Sequence, residues 1–175
     1  LNYNGFETVT FTVYDGQGNF SSASDELLVV VTPVNDAPVL AAIADTSTAE
    51  NQVLLLDILA SDVDEDELIF DAISSSPWDV SADIAGDELT LTPAENFNGD
   101  VNITITVSDG ILFDSETFEL AVSSVNDAPV SNDISISISE DSSVLVEASG
   151  SDVEGDALSF EVVDSPQHGG LGPSF

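Results

Sequence analysis

The sequence Val34-Asn35-Asp36-Ala37-Pro38 returns unchanged 91 positions later as Val125-Asn126-Asp127-Ala128-Pro129. An Asp-Gly pair precedes each copy, at 15–16 and again at 109–110. A fixed period of this size is typical of a linear array of similar domains. The repeat therefore predicts that the chain is built from tandem units joined at these two linkers.

The positions of the linkers set the predicted domain boundaries. Residues 1–36 match the second part of a unit, residues 37–127 form one complete unit, and residues 128–175 match the first half of a further unit. The sequence contains no Met, so we expect it to be a segment of a longer protein.

Apolar and polar residues alternate along much of the chain, as from Val101 to Ser108 and from Ile134 to Ser139. Period two indicates half-buried strands. The complete unit holds seven predicted strands, at about 38–43, 52–59, 67–74, 79–84, 88–92, 101–108 and 115–122. Turns separate them, one of them at 45–51, and Trp78 is a candidate core residue. Short strands at this spacing predict an all-β fold of tandem seven-stranded Greek-key β-sandwiches in a linear array.

The composition excludes several partners. Lys and Arg are absent, whereas Asp and Glu number 34, giving a net charge of −34. Nucleic acid binding requires cationic side chains, and anionic lipid is disfavoured for the same reason.

Without Cys the chain has no disulfide, no Cys-ligated zinc and no thiol nucleophile. Apolar runs such as Leu27–Val31 are far too short to span a membrane. Such charge suggests bound divalent cations or adaptation to salty surroundings, and the two are compatible.

The acidic segment after the first linker is the strongest local signal. Asp62, Asp64 and Asp66 alternate, and in extended backbone they would lie on one side about 6.5–7 Å apart. A calcium ion, which takes six to eight oxygen ligands, would relieve their repulsion, whereas the alternative is a solvated acidic loop. An EF-hand is rejected because Glu67 and Ile73 stand where that loop requires Gly and Glu.

Several of these segments resemble the motifs of cadherin repeats. The linker 34–38 is similar to the cadherin inter-repeat linker, 60–64 to its Ala-x-Asp-x-Asp segment, and 107–110 to its Ala-x-Asp-x-Gly turn. Ala49-Glu50-Asn51 resembles the glutamate segment of the first strand. The resemblance covers the whole chain and is closest to bacterial cadherin-like repeats of large secreted and surface adhesins. It implies a cadherin/Ig-like sandwich and calcium-rigidified rods that serve adhesion, biofilm attachment or, in some proteins, polysaccharide binding.

The resemblance also implies two calcium-binding junctions. The first would use Asn35, Asp36, Asp62, Asp64 and Asp109, and the acidic loop adds Asp66. The second would use Glu50, Asn126, Asp127, Asp152 and Glu154. The linkers lack the outermost Asp and the last Asn of the cadherin pattern, which implies that each junction binds fewer ions or binds them more weakly.

These observations predict a calcium-dependent extender segment of a large bacterial extracellular protein, and not an enzyme. The single His168 has no Cys, Lys or Arg to pair with, and adjacent carboxylates arise by chance in so acidic a chain. The expected partners are neighbouring repeats of the same chain or of another copy. Alternatives are a polysaccharide-binding or cell-surface-binding module, a non-catalytic part of a secreted enzyme, and a filament assembled head to tail. In the filament, Ile134, Ile136 and Ile138 would be covered by another segment or copy.

Overall fold

The computed structural model of the chain describes residues 3–16 and 22–172. The chain forms two compact units, residues 1–122 and residues 123–175. Secondary structure in the described residues consists of strands, which confirms the all-β prediction. Among these residues no helix has the length and apolar character needed to cross a membrane.

The strands of the first unit follow one another closely along the chain. They are β1 Gly5–Tyr14, β2 Ser22–Val31, β3 Val39–Leu40, β4 Thr46–Ala49, β5 Leu54–Asp57, β6 Ala60–Ser61, β7 Ile69–Ser74, β8 Val80–Ala85, β9 Glu88–Pro93, β10 Gly99–Ser108 and β11 Phe113–Ser123. The second unit contains β12 Val130–Ser131 and β13 Gly150–Ser151, which pair antiparallel.

Two sheets enclose the core of the complete repeat. One has the strand order β4-β11-β10-β7 and the other the order β5-β9-β8, while β3 pairs with β6 at the side. The alternating apolar residues of β10 and β11 face residues of the second sheet. The buried core consists of Leu40, Ile58, Val80, Leu89, Leu91, Val101, Ile103, Ile105, Val107, Phe118, Leu120 and Val122. This sandwich is the Ig-like architecture that the alternation predicted.

Each of the seven predicted strands of the complete repeat overlaps an observed strand, but the one predicted at 38–43 is reduced to Val39–Leu40 and the one at 52–59 to Leu54–Asp57. The short strand β6, Ala60–Ser61, was not predicted. The predicted turn at 45–51 was wrong, because Thr46–Ala49 forms β4 at the edge of the four-stranded sheet. Trp78 is not in the core: it lies between β7 and β8 and is 92% exposed. Both errors concern tertiary placement, which local sequence does not fix.

The predicted strand at 134–138 is also wrong, since the structure has no strand between β12 and β13. A strand needs a partner for its backbone groups, and the described residues offer none to this segment. Ile134, Ile136 and Ile138 are 46%, 46% and 53% exposed within the chain. Their burial against another segment or copy stays a prediction.

The same aromatic-Asn-Gly sequence begins β1 and β10. Gly5 and Gly99 adopt φ of 138° and 142°, in a region that side chains rarely adopt. A Cβ added at Gly5 would lie 3.4 Å from the Tyr3 hydroxyl, and one added at Gly99 would lie 3.4 Å from the Phe97 ring. Glycine therefore allows an aromatic ring to cover the start of each strand.

Candidate metal site at the linker

The acidic loop is a tight turn rather than an extended strand. Oδ1 of Asp62 accepts hydrogen bonds from the backbone N–H groups of Asp64, at 2.8 Å, and Asp66, at 3.4 Å. Glu65 completes the turn with a φ of 63°. The expected extended spacing was therefore wrong: the turn brings carboxylate oxygens of Asp62, Asp64 and Asp66 within 4.8 Å of one another.

The linker is hydrogen-bonded to this loop and to the Asp-Gly turn. The backbone N–H of Asp36 donates to Oδ2 of Asp64 at 2.8 Å. Nδ2 of Asn35 donates to Oδ2 of Asp109 at 2.8 Å, across 74 positions of sequence. All six residues predicted for the first junction therefore lie where the first linker meets the complete repeat: Asn35, Asp36, Asp62, Asp64, Asp66 and Asp109.

Asp109 is held as a carboxylate by three donors. The backbone N–H groups of Leu112 and Ile111 donate to its Oδ1 at 2.6 and 2.7 Å. The hydrogen bond from Leu112 lowers the pKa of Asp109 most, followed by those from Ile111 and Asn35, while desolvation raises it. The turn is thus preorganised to present a negative charge to the linker.

The second oxygen of Asp62 gives the site an unsatisfied acceptor. Oδ2 of Asp62 is inaccessible to solvent and has no hydrogen-bond partner among the described residues. A buried acceptor without a partner is costly, and a carboxylate more so. Two clefts border the loop, one lined by Asp36, Asp62 and their neighbours and the other by Asp36, Asp64 and the base of the β1–β2 hairpin. The oxygen-rich donor set fits a hard divalent cation.

The second unit repeats the turn at the second linker. Oδ1 of Asp152 accepts from the N–H groups of Glu154, at 3.1 Å, and Asp156, at 3.0 Å. Oε2 of Glu154 accepts from the N–H of Asp127 at 3.3 Å, the counterpart of the Asp36–Asp64 hydrogen bond. Asn126 donates to the carbonyl of Asp127 at 3.0 Å. Sequence reasoning missed Asp156, although its position matches that of Asp66 in the first copy.

Glu50 belongs to the first unit, whereas the other residues predicted for the second junction belong to the second unit. It follows β4 directly and is 1% exposed. The chain has no Lys or Arg side chain that could neutralise this buried carboxylate. The part of Glu50 in a second junction stays a prediction.

The two-sheet sandwich places the protein in the immunoglobulin-like class of β proteins. The chain belongs to the bacterial Ig domain family, whose model matches residues 35–120 and 126–173. Chitinase A of Pseudoalteromonas piscicida is 31% identical over 129 residues, which cover 72% of this chain and 16% of that enzyme.

Two solved structures have low similarity to the chain. An endo-fucoidan hydrolase from glycoside hydrolase family 107 has a TM-score of 0.42 at 20% identity, covering 74% of this chain and 21% of that one. Titin domain M7 has a TM-score of 0.37 at 15% identity, covering 52% of this chain and 98% of the titin domain.

Proposed function

We propose that this chain is a calcium-rigidified spacer within a larger bacterial extracellular or cell-surface protein. The observation that carries the proposal is the attachment of the linker to two acidic elements of the complete repeat, through Asp36 to Asp64 and through Asn35 to Asp109. A cation bound there would add metal–oxygen bonds to these hydrogen bonds. The linker would then become a fixed joint, as the resemblance to cadherin repeats implies.

Electrostatics favours a cation at this end of the repeat. Three carboxylate groups have oxygens within 4.8 Å of one another, and the chain has no Lys or Arg to neutralise them. Unit charges at such separations repel by about 1 kcal/mol in bulk water and by more near a protein surface. Calcium suits the site better than magnesium, because it accepts irregular coordination, whereas magnesium requires near-octahedral geometry and keeps its waters.

The context of the chain supports a structural role outside the cell. Bacterial Ig domains are typical of extracellular and surface proteins, and the chain spans 16% of the length of a chitinase to which it is similar. We therefore infer that the whole protein acts on or near polysaccharide, and that this segment is a non-catalytic part of it. Its task is to hold other domains at a distance, with stiffness set by calcium.

Thermal unfolding of the 175-residue chain tests the calcium proposal. A ligand that binds only the folded state stabilises it by about 2.7 kcal/mol at a concentration 100-fold above Kd. We expect calcium to raise the unfolding midpoint by several degrees and magnesium to raise it much less. The double variant Asp62→Asn/Asp64→Asn should lose most of the calcium effect.

A matched control removes the same charge elsewhere. Asp71→Asn/Asp83→Asn changes two exposed strand residues of the same repeat and should keep the full calcium effect. Equal midpoints in calcium and in chelator for the unaltered chain would contradict the proposal and leave salt adaptation as the reason for the acidic composition. Equal loss in both double variants would show a general charge effect rather than a site.

A further inference from the structure

Trp78 is the single tryptophan of the chain, and it is the most exposed large apolar residue described, at 92%. It lies in the loop between β7 and β8 of the complete repeat. An indole is among the most costly side chains to leave in water, because its apolar area is large. Because Trp78 is more exposed than any other large apolar residue described, its ring is accessible to a ligand.

The loop that carries Trp78 is fixed on both sides. Ser75 and Asn102 exchange two hydrogen bonds, from Ser75 N–H to the Asn102 carbonyl at 2.9 Å and from Asn102 N–H to Ser75 Oγ at 3.1 Å. The N–H groups of Asp79 and Val80 both donate to the carbonyl of Ser76, at 3.0 and 2.9 Å. The Ser76 hydroxyl also hydrogen-bonds to the Asp79 carboxylate.

Buried residues anchor this loop to the core. Ser74 is 6% exposed on one side, and Val80 is 0% exposed on the other. The carbonyl of Asp79 accepts a hydrogen bond from the N–H of Ala94 at 2.7 Å, which ties the loop to the end of β9. The backbone under Trp78 is thus ordered before any ligand arrives, and a ligand that stacks on the ring would incur little ordering cost.

The surroundings of the ring define the chemistry of its ligand. Ser75, Ser76 and Asp79, the neighbours of Trp78 in this loop, carry hydroxyl and carboxylate groups, and the chain has no Lys or Arg to attract an anion. We propose that Trp78 is the stacking residue of a binding site for neutral polysaccharide. The C–H face of a pyranose packs on the indole face, while the sugar hydroxyls find hydrogen-bond partners among the polar groups beside it.

A protein partner is the less suitable occupant. A stable protein interface buries about 1,200–2,000 Å² and has an apolar centre formed by several residues. Trp78 instead projects from a loop of serines and an aspartate. A polysaccharide presents many identical rings, and the single indole of this chain can stack on any one of them.

Pull-down of the full chain with insoluble chitin and cellulose tests this site, with soluble alginate as the anionic comparison. We expect the chain to be retained by at least one of the neutral polysaccharides and not to bind alginate. Trp78→Ala should reduce the affinity about tenfold or more, as truncation of a central aromatic contact residue does. Trp78→Phe should restore part of the binding, because it keeps an aromatic face.

Phe113→Ala provides the matched control, since Phe113 is 69% exposed on the same repeat and should be dispensable for retention. Both alanine variants should keep the thermal midpoint of the unaltered chain, which shows that the fold is intact. Failure of the unaltered chain to bind either neutral polysaccharide would overturn the proposal. Equal retention of the Trp78→Ala variant would overturn it as well.

Discussion

The β10–β11 and β1–β2 hairpins have matching sequence patterns and very different environments. Their registers agree, with Gly99 opposite Val122 in one and Gly5 opposite Val31 in the other. In β10–β11 the alternating apolar residues are almost fully buried. In β1–β2 the equivalent residues Val9, Phe11, Val13, Leu27, Val29 and Val31 are 50%, 49%, 62%, 54%, 37% and 36% exposed.

The difference teaches that alternation specifies a strand and its apolar face, but not what covers that face. In the complete repeat the cover comes from β5, β8 and β9, which present Leu54, Val80, Leu89 and Leu91 to β10 and β11. No described residue provides such a cover for β1–β2, since its large apolar residues remain exposed. An exposed face of this kind is characteristic of an interaction surface.

The largest expected effect is a difference in the free energy of unfolding between alanine variants of the two hairpins. Leu120→Ala in β11 removes a side chain that is 0% exposed and should lower the free energy of unfolding by about 2–5 kcal/mol. Leu27→Ala in β2 removes the same atoms from a side chain that is 54% exposed and should cost well under 1 kcal/mol. Urea denaturation followed by circular dichroism measures both values. These values apply at protein concentrations too low for copies to associate, and similar losses there would show that the β1–β2 face is covered within a single chain.

An intermediate effect concerns association between copies. The sequence predicts head-to-tail completion, in which the β1–β2 face of one copy packs on the C-terminal segment of another. That segment also exposes apolar side chains, among them Val144, Leu145, Val146 and Phe160. We expect sedimentation at rising protein concentration and moderate salt, which screens the like charges, to show oligomers that grow without a fixed size.

Phe11→Asp should abolish this association, because it places a charge in the centre of the apolar face. Thr10→Asp is the matched control: it adds the same charge to the opposite face of β1, since side chains alternate along a strand. A chain that stays monomeric at every concentration would contradict head-to-tail completion.

The smallest expected effect tests the turn that closes the buried hairpin. The pKa of Asp109 is lowered in the fold, so its contribution to stability is present above the unfolded value of 3.8 and is lost as the pH falls through the folded pKa. Asp109→Asn should therefore reduce the thermal midpoint at neutral pH, and this deficit should shrink below 3.8. Asp87→Asn, in the exposed β8–β9 turn, is the charge control and should show no such deficit. A deficit for Asp109→Asn that does not change with pH would exclude the carboxylate as its cause.

Much of the fold was predictable because strand periodicity is local. The strands with clear alternation and flanking turn residues, such as those predicted at 101–108 and 115–122, are present almost as predicted. The strand predicted at 38–43 lacks alternation and is reduced to Val39–Leu40. The strand Thr46–Ala49 was missed because it has no alternating apolar pattern and forms by pairing with β11. Trp78 was misplaced as well: its size favours the core, but the hydrogen bonds of its loop hold it outside.

The proximity of the candidate residues was predictable, but their geometry was not. The repeat of the linker, the acidic loop and the Asp-Gly turn identified Asn35, Asp36, Asp64 and Asp109, which the fold brings together. The loop itself was expected to be extended, because alternation of acidic residues looks like alternation in a strand. Instead, hydrogen bonds from backbone N–H groups to the Asp62 carboxylate fold the loop into a turn. Side chains that bind the backbone in this way compete with strand formation, and the alternation of residue types does not reveal it.

The hydrogen bonds of the linker give the segment a mechanical property. A pull on the chain ahead of Asn35 reaches the Asn35–Asp109 and Asp36–Asp64 contacts before it reaches β3, because both residues precede that strand. These contacts end on carboxylates, whose strength depends on protonation and on bound ions. We therefore expect the entrance to the repeat to yield under tension before the apolar core does. If the linker binds calcium as proposed, the force at which it yields should rise with the calcium concentration.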